Sequence, residues 1–327
     1  MPLRAAGRKL LRTLPRALRE GSRVAVVAPS SPAPPQETEA GLRALREMGF
    51  EPILGDSCGF GAPDRGYLAA ESDDVKIADI HRAFADARID GVVCLRGGSG
   101  AGRLIRRLDA SLIAANPKPF VGYSDITILH AFIASACNFV TFHGPMTTSH
   151  NLIHDAGGTR EAFVRALTNP APLGEIPGDV SGARECLVSG ACRGELTGGN
   201  LAVLCTTLGT DCEISTRGKI VLLEDTDEEP YSVDRMLNHL LNAGKLFDAA
   251  GIVLGGFTRC EPPARPEYAR TRSVRDVIRD VLVPLGIPLL SGIPAGHGEH
   301  NITLPLGATA ELDAGALALR FVSPALC

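Results

Sequence analysis

The stretch Phe120-Val121-Gly122-Tyr123-Ser124-Asp125-Ile126-Thr127 decides how the rest of the chain is read. Its opening Phe-Val-Gly, reached through Pro119, is a short apolar run with the character of a buried strand. From Ile126 through Leu129, His130 and Phe132 the pattern is that of a helix start, which leaves Ser124 at the turn between the two. A strand-to-helix turn holds a hydroxyl at the carboxyl end of a sheet, presented instead of packed. The N–H of Asp125 then lies near the positive end of the new helix, where it can face a developing oxyanion. A serine in this place is equally suited to capping the helix, and the stretch alone leaves both readings open. The nucleophile elbow G-x-S-x-G is not matched, because Ile126 stands at its fifth position.

Outward from this turn, apolar runs and amphipathic stretches alternate. Strands are expected at 24–28, 51–54 and 91–95, and helices at 37–48, 73–85, about 101–108 and after Ser124. Units of this spacing predict an α/β fold whose N-terminal domain, residues 21–167, is a parallel sheet wound in the flavodoxin or Rossmann manner. Residues 168–181 are dense in Pro and Gly and read as a linker. A C-terminal mixed α/β domain with short strands is expected over 182–327. Its strands fall near 186–188, 194–196, 219–223, 251–255 and 288–290, its helices from 201, over 232–242 and over 273–281, and antiparallel pairing within 303–321.

Ligands of parallel sheets bind beyond the carboxyl ends of the strands. Here those ends are Pro29-Ser30-Ser31-Pro32, Arg96-Gly97-Gly98-Ser99-Gly100 and the Ser124 turn. The glycines do not form a dinucleotide fingerprint: Arg103 stands where the third glycine is needed, and Lys118 where the acidic residue should follow. A phosphate-binding P-loop is absent as well. Consecutive glycines do let a backbone approach a substrate and turn an N–H toward it, so Gly98 is a candidate second oxyanion donor opposite Asp125. A plain flexible turn explains the glycines equally well.

A serine nucleophile needs a base, normally a histidine held by a carboxylate. Of the eight histidines, His297 in Ile293-Pro294-Ala295-Gly296-His297-Gly298 is best placed, following an apolar strand and flanked by glycines. His143, in Phe142-His143-Gly144-Pro145-Met146, also ends a strand and is the runner-up. His297 and His300 lack the helical context and further ligands of a metal site, so no metal is expected. Glu224 closes the apolar run 219–223, where an acid is costly without a partner; it is either the carboxylate of such a site or half of a structural ion pair. The acids that follow, Asp225, Asp227, Glu228 and Glu229, read as a solvated loop.

The bulk composition excludes several classes. A net charge of −4, a Trp count of 0 and a Tyr count of 4 give neither the field nor the stacking surfaces that hold nucleic acid. Nine scattered cysteines without a C-x-x-C pair suggest a reducing compartment, and no stretch has the length of a membrane span or a secretory core, so a cytoplasmic location is expected. Residues 1–20 are a basic extension, with Arg4, Arg8, Lys9, Arg12, Arg16 and Arg19 among leucines; a solvated arm or a helix packed on its own protein suits them.

Taken together, the segment 18–30, Tyr67-Leu68-Ala69, Arg96-Gly97-Gly98, Gly122-Tyr123-Ser124-Asp125, Gly198-Gly199-Asn200-Leu201, Leu223-Glu224-Asp225 and Gly296-His297 resemble the LD-carboxypeptidase family of serine peptidases, in order, from about residue 18 to the end. The resemblance implies a Ser-Glu-His triad on Ser124, Glu224 and His297, the nucleophile in the first domain and the other two in the second. It implies a muropeptide substrate cut before a terminal D-alanine, no cofactor, and a homodimer. Arg96 is the first candidate for the substrate carboxylate, or else a tie for the glycine loop. Ser99 stands where members often have an aromatic residue, which puts the substrate contacts around it in question. A related branch, the microcin-C-immunity hydrolases, cleaves acyl adenylates and stacks the base on an aromatic residue. Without Trp, and without an insertion between Glu224 and His297, the chain is more similar to the peptidase branch. A non-catalytic small-ligand-binding protein on the same scaffold is the rival from another class.

Overall fold

The computed structural model describes residues 12–59, 71–177, 184–262 and 272–327. Tyr67-Leu68-Ala69, the first part of the basic extension and the end of the proposed linker lie outside them.

Strands β1 (Arg23–Val27), β2 (Glu51–Leu54), β3 (Gly91–Cys94), β4 (Phe120–Gly122) and β5 (Thr141–His143) are interleaved with helices α1 (Pro35–Glu47), α2 (Asp73–Ala85), α3 (Ala110–Ala115) and α4 (Thr127–Phe132). The strands pair in parallel in the order β5-β4-β3-β1-β2. Alternate residues of β1 enter different cores, Val24 and Val26 on one face and Ala25 and Val27 on the other. This is why the strand is continuously apolar: both of its faces are covered. Pro35 opens α1 at a position that lacks a partner for its missing N–H, and Ser72 caps α2 by accepting from Val75 N.

After α5 (His150–Ile153) and α6 (Thr159–Thr168), the second sheet assembles from β6 (Gly174–Glu175), β7 (Glu185–Val188), β8 (Ala191–Asn200), β9 (Ile220–Thr226), β10 (Gly251–Thr258) and β11 (Leu289–Ser291). β12 (Leu304–Leu306), β13 (Thr309–Asp313) and β14 (Ala318–Phe321) follow, and helices α7 (Leu201–Thr207), α8 (Pro230–Asn242) and α9 (Val274–Leu282) fill the connections. Its order is β6-β14-β13-β8-β9-β10-β11-β7, parallel from β8 to β11 and antiparallel at both edges. The fold is thus two α/β sheets, one mainly parallel and one mixed. Leu196, Leu222 and Val253 of the second sheet share an apolar core with Val24, Val26 and Phe142 of the first.

Several expectations are corrected. No α-helix spans 101–108: two 3-10 turns, Ala101–Arg103 and Ile105–Arg107, take its place, Gly102 weakening any helix there. Residues 12–19 are neither a solvated arm nor a helix. They run extended against the protein, Thr13 bridging Phe139 and Ala17 N donating to Cys327 O. β6 forms within the Pro- and Gly-rich stretch and pairs with β14, while β12 crosses back to lie antiparallel on β5 at the edge of the first sheet. The strand carrying Glu224 does not stop there but continues through Asp225 to Thr226.

Candidate active site

β4 ends at Gly122 and Tyr123 is extended, but Ser124 takes φ +63°, the left-handed region. A serine there costs about 1–2 kcal/mol and persists only where its surroundings impose it. They do so here through three loops. The Asp125 carboxylate accepts from Ser30 Oγ at 2.6 Å and from Ala101 N at 2.9 Å, joining the end of β1 to the glycine loop. Ser31 Oγ accepts from Ser99 N at 3.1 Å, and its N donates to Gly97 O at 3.3 Å. Gly97 passes so close that a Cβ on it would lie 2.8 Å from Ser124 Cβ. Gly98, at φ +114°, would place a Cβ 2.2 Å from Ser31 Oγ. Only glycine fits either position, so the loop comes up against the serine as bare backbone.

Arg96 sits at the foot of this loop with Nη1 3.5 Å from Pro32 O, the contact of a loop tie. Ser99 is exposed and lines, with Asp125, Ile128, Val203 and Thr206, an open cavity of about 820 Å³.

From the second sheet, β9 delivers Glu224, fully buried (0% exposed), at the seam facing the first. Its Oε2 lies 2.7 Å from His297 Nδ1. Gly296 makes this approach possible: at φ +94°, a Cβ there would fall 2.3 Å from the same oxygen. Burial by itself raises the Glu224 carboxyl, but the imidazoles of His143 and His297 outweigh it and bring its pKa down to about 2. An ionised carboxylate only accepts, so His297 donates from Nδ1, the arrangement that in the neutral ring puts the lone pair on Nε2. The His297 ring packs on Tyr123, centroids 4.8 Å apart, which sets it beside the residue preceding Ser124. Between Ser124 and His297 themselves the structure forms no hydrogen bond.

Sequence reasoning passed over part of this site. Asp225 is not in a solvated loop. It is buried, and its carboxylate accepts from Asn200 Nδ2 at 2.8 Å, Ala202 N at 2.9 Å and Thr226 N at 2.8 Å. Asn200 N in turn donates to Thr127 Oγ1 of α4 at 3.1 Å, a bond between the two sheets. The legible signal was an Asp inside an unbroken strand run and an Asn where α7 begins. Lys76 was missed too; it is buried and its Nζ donates to Ser30 O at 2.6 Å. His143 stands near the second oxygen of Glu224, at 3.7 Å.

Burial raises the pKa of Asp225 from the ordinary 3.8 to about 6. A carboxyl whose folded pKa is raised contributes no penalty below its unfolded value and destabilises progressively as pH climbs through the folded one. Asp225→Asn is therefore expected to gain stability relative to the parent between about pH 4 and pH 6 and then hold level. Urea unfolding at four pH values reads this difference; a constant offset would mean that the acid is not perturbed.

Comparison with known proteins places both halves. Residues 24–144 match the LD-carboxypeptidase N-terminal domain and residues 193–312 the LD-carboxypeptidase C-terminal domain. The chain is 41% identical over 299 residues to a probable murein peptide carboxypeptidase of Bacillus subtilis (strain 168), covering 91% of each. It is 32% identical over 304 residues to the murein tetrapeptide carboxypeptidase of Pseudomonas aeruginosa, covering 90% of this chain and 94% of that one. Among solved structures, the muramoyltetrapeptide carboxypeptidase of Oxalobacter formigenes superposes with a TM-score of 0.79 at 26% identity, covering 94% of this chain and all (100%) of that one. The microcin C7 self immunity protein MccF superposes with a TM-score of 0.84 at 24% identity over 96% and 99% of the two chains, a likeness of fold.

Proposed function

The chain belongs to the LD-carboxypeptidase family, and on that footing we propose that it is a serine carboxypeptidase of murein peptides that releases a terminal D-alanine, with Ser124 as nucleophile. The observation that carries the reading is the pair formed by buried Glu224 and half-buried His297 at 2.7 Å, set through Tyr123 beside a serine held at φ +63°. In this reading Ser124 Oγ bonds to the carbonyl carbon while His297 Nε2 takes its proton, and Glu224 stabilises the resulting cation. The N–H groups of Asp125 and Gly98 receive the oxyanion. The C–N bond then breaks, His297 returns the proton to the leaving amine, and water hydrolyses the acyl-enzyme by the same route. The reaction draws on no metal or organic cofactor. Arg96 and Ser99 are assigned, in the same proposal, to contacts with the rest of the peptide. A cytoplasmic homodimer is part of this proposal, the dimer being what the family resemblance implies. Among the described residues no helix is long and apolar enough to cross a membrane.

The direct test is mass-spectrometric detection of D-alanine released from L-Ala-γ-D-Glu-meso-diaminopimelate-D-Ala. Release at a rate saturable in substrate is the expected result. The resemblance to the microcin-C-immunity branch supplies one competing reading, hydrolysis of an acyl adenylate. An aspartyl sulfamoyl adenosine cleaved in place of the muropeptide would move the assignment there. Failure of Ser124 to react with a fluorophosphonate would favour a binding protein.

A further inference from the structure

His143 ends β5 with its side chain fully buried (0% exposed), and neither ring nitrogen has a hydrogen-bond partner. Buried imidazoles are ordinarily satisfied, and this protein contains the ordinary case. His130, one helix away, has Nδ1 2.9 Å from Thr141 Oγ1 and Nε2 2.8 Å from Gly122 O. His143 differs in what faces it. Its Nε2 points at Glu224 Oε1 across 3.7 Å, within ion-pair range and longer than a hydrogen bond. That same oxygen is itself buried without a partner, while Oε2 is engaged by His297. The unsatisfied donor and the unsatisfied acceptor therefore belong to each other.

We propose that His143 is a positioning residue that donates from Nε2–H to Glu224 Oε1 and so fixes the plane of the carboxylate whose other oxygen holds His297. A carboxylate anchored through one oxygen alone turns about its Cγ–Cδ bond and carries the histidine with it. Anchored at both oxygens it cannot, and His297 Nε2 is kept aimed toward Ser124. The ring of His143 is itself braced edge-on against Tyr123, centroids 6.0 Å apart, and Tyr123 also packs on His297. The 3.7 Å gap closes to a hydrogen bond when substrate fills the site, as catalytic bonds that are long in the free enzyme do. His143 sits on the first sheet and Glu224 on the second, so the contact also spans the seam between them.

This inference rests on the proposed serine mechanism. It is tested with two polar replacements of different reach in the full-length chain. His143→Gln places an amide N–H near the position of Nε2, whereas His143→Asn places it near Nδ1, out of reach of Glu224. Release of D-alanine should survive His143→Gln to within several-fold, while His143→Asn loses on the order of 10²-fold in kcat with KM unchanged, the cost of misplacing a catalytic group. Equal activity of the two variants, whether high or low, would overturn the assignment and leave His143 a packing residue. A second readout needs no turnover: the far-downfield proton resonance of His297 Nδ1–H should persist in His143→Gln and broaden or move in His143→Asn. An unchanged resonance in both would overturn the proposal. Ser124→Ala, assayed beside them, separates the two failures. Activity retained there rejects the serine mechanism itself, and activity lost there with His143→Asn intact rejects only the role of His143.

Discussion

Ser124→Ala is expected to lower kcat for D-alanine release by about 10⁴- to 10⁶-fold, because a nucleophile and its base act as a unit and what remains is binding and oxyanion stabilisation. The fold should be untouched. Asp125, Ser30 and Ala101 still hold the turn through bonds that do not involve the hydroxyl. Ser124→Gly should be equally inactive but about 1 kcal/mol more stable than Ser124→Ala, since glycine takes φ +63° without the steric cost that alanine and serine share. Urea denaturation of the two variants reads that difference. Near-parental turnover by Ser124→Ala would remove the serine from the chemistry, and equal stabilities would mean that the turn is not strained.

Glu224→Gln keeps the shape of the buried side chain and removes its charge. It should cost on the order of 10⁴-fold in kcat, because a neutral amide neither enforces the Nδ1–H form of His297 nor stabilises its cation. Glu224→Ala should in addition destabilise by roughly 3 kcal/mol, leaving two imbalanced imidazoles around an empty space. The charge has its own pH signature. The folded pKa of Glu224, about 2, lies below the ordinary 4.5, so its stabilisation is complete above about pH 4.5 and is lost as pH falls through the folded value. The stability margin of the parent over Glu224→Gln should therefore shrink from pH 4.5 toward pH 2, opposite in direction to the Asp225→Asn comparison. A margin independent of pH would show that the carboxylate is not held ionised by its histidines.

How much of this was legible in the chain depends on the range of the interaction. The parallel strands announced themselves because each is buried on both faces and so is written as an apolar run: Val24 to Val27, Gly91 to Cys94, Ile220 to Leu223. The Ser124 turn was equally legible, being built from adjacent residues. The helix expected after the glycine loop is two 3-10 turns instead, and the tie that holds their first residue, Ala101 N to the Asp125 carboxylate, comes from 24 positions away. Asp225 looked like the start of a solvated run for the same reason: its partners Asn200 and Ala202 lie on another strand and helix. Tyr67-Leu68-Ala69 helped identify the chain yet lie outside the described residues.

What the sequence by itself determined was therefore periodic and local: two sets of α/β units, a serine presented where a strand becomes a helix, glycines where backbone must come close. Its likeness to a family supplied the candidate partners of that serine, but no pattern within the chain says that Glu224 and His297, 73 residues apart, share a hydrogen bond. That was decided only by the tertiary structure, which brings the ends of β4 and β5 against the end of β9 and buries a carboxylate between imidazoles contributed from both sheets. The physical reason is that a buried charge is tolerable only where the fold supplies its counterparts, and those counterparts come together only once distant strands have packed.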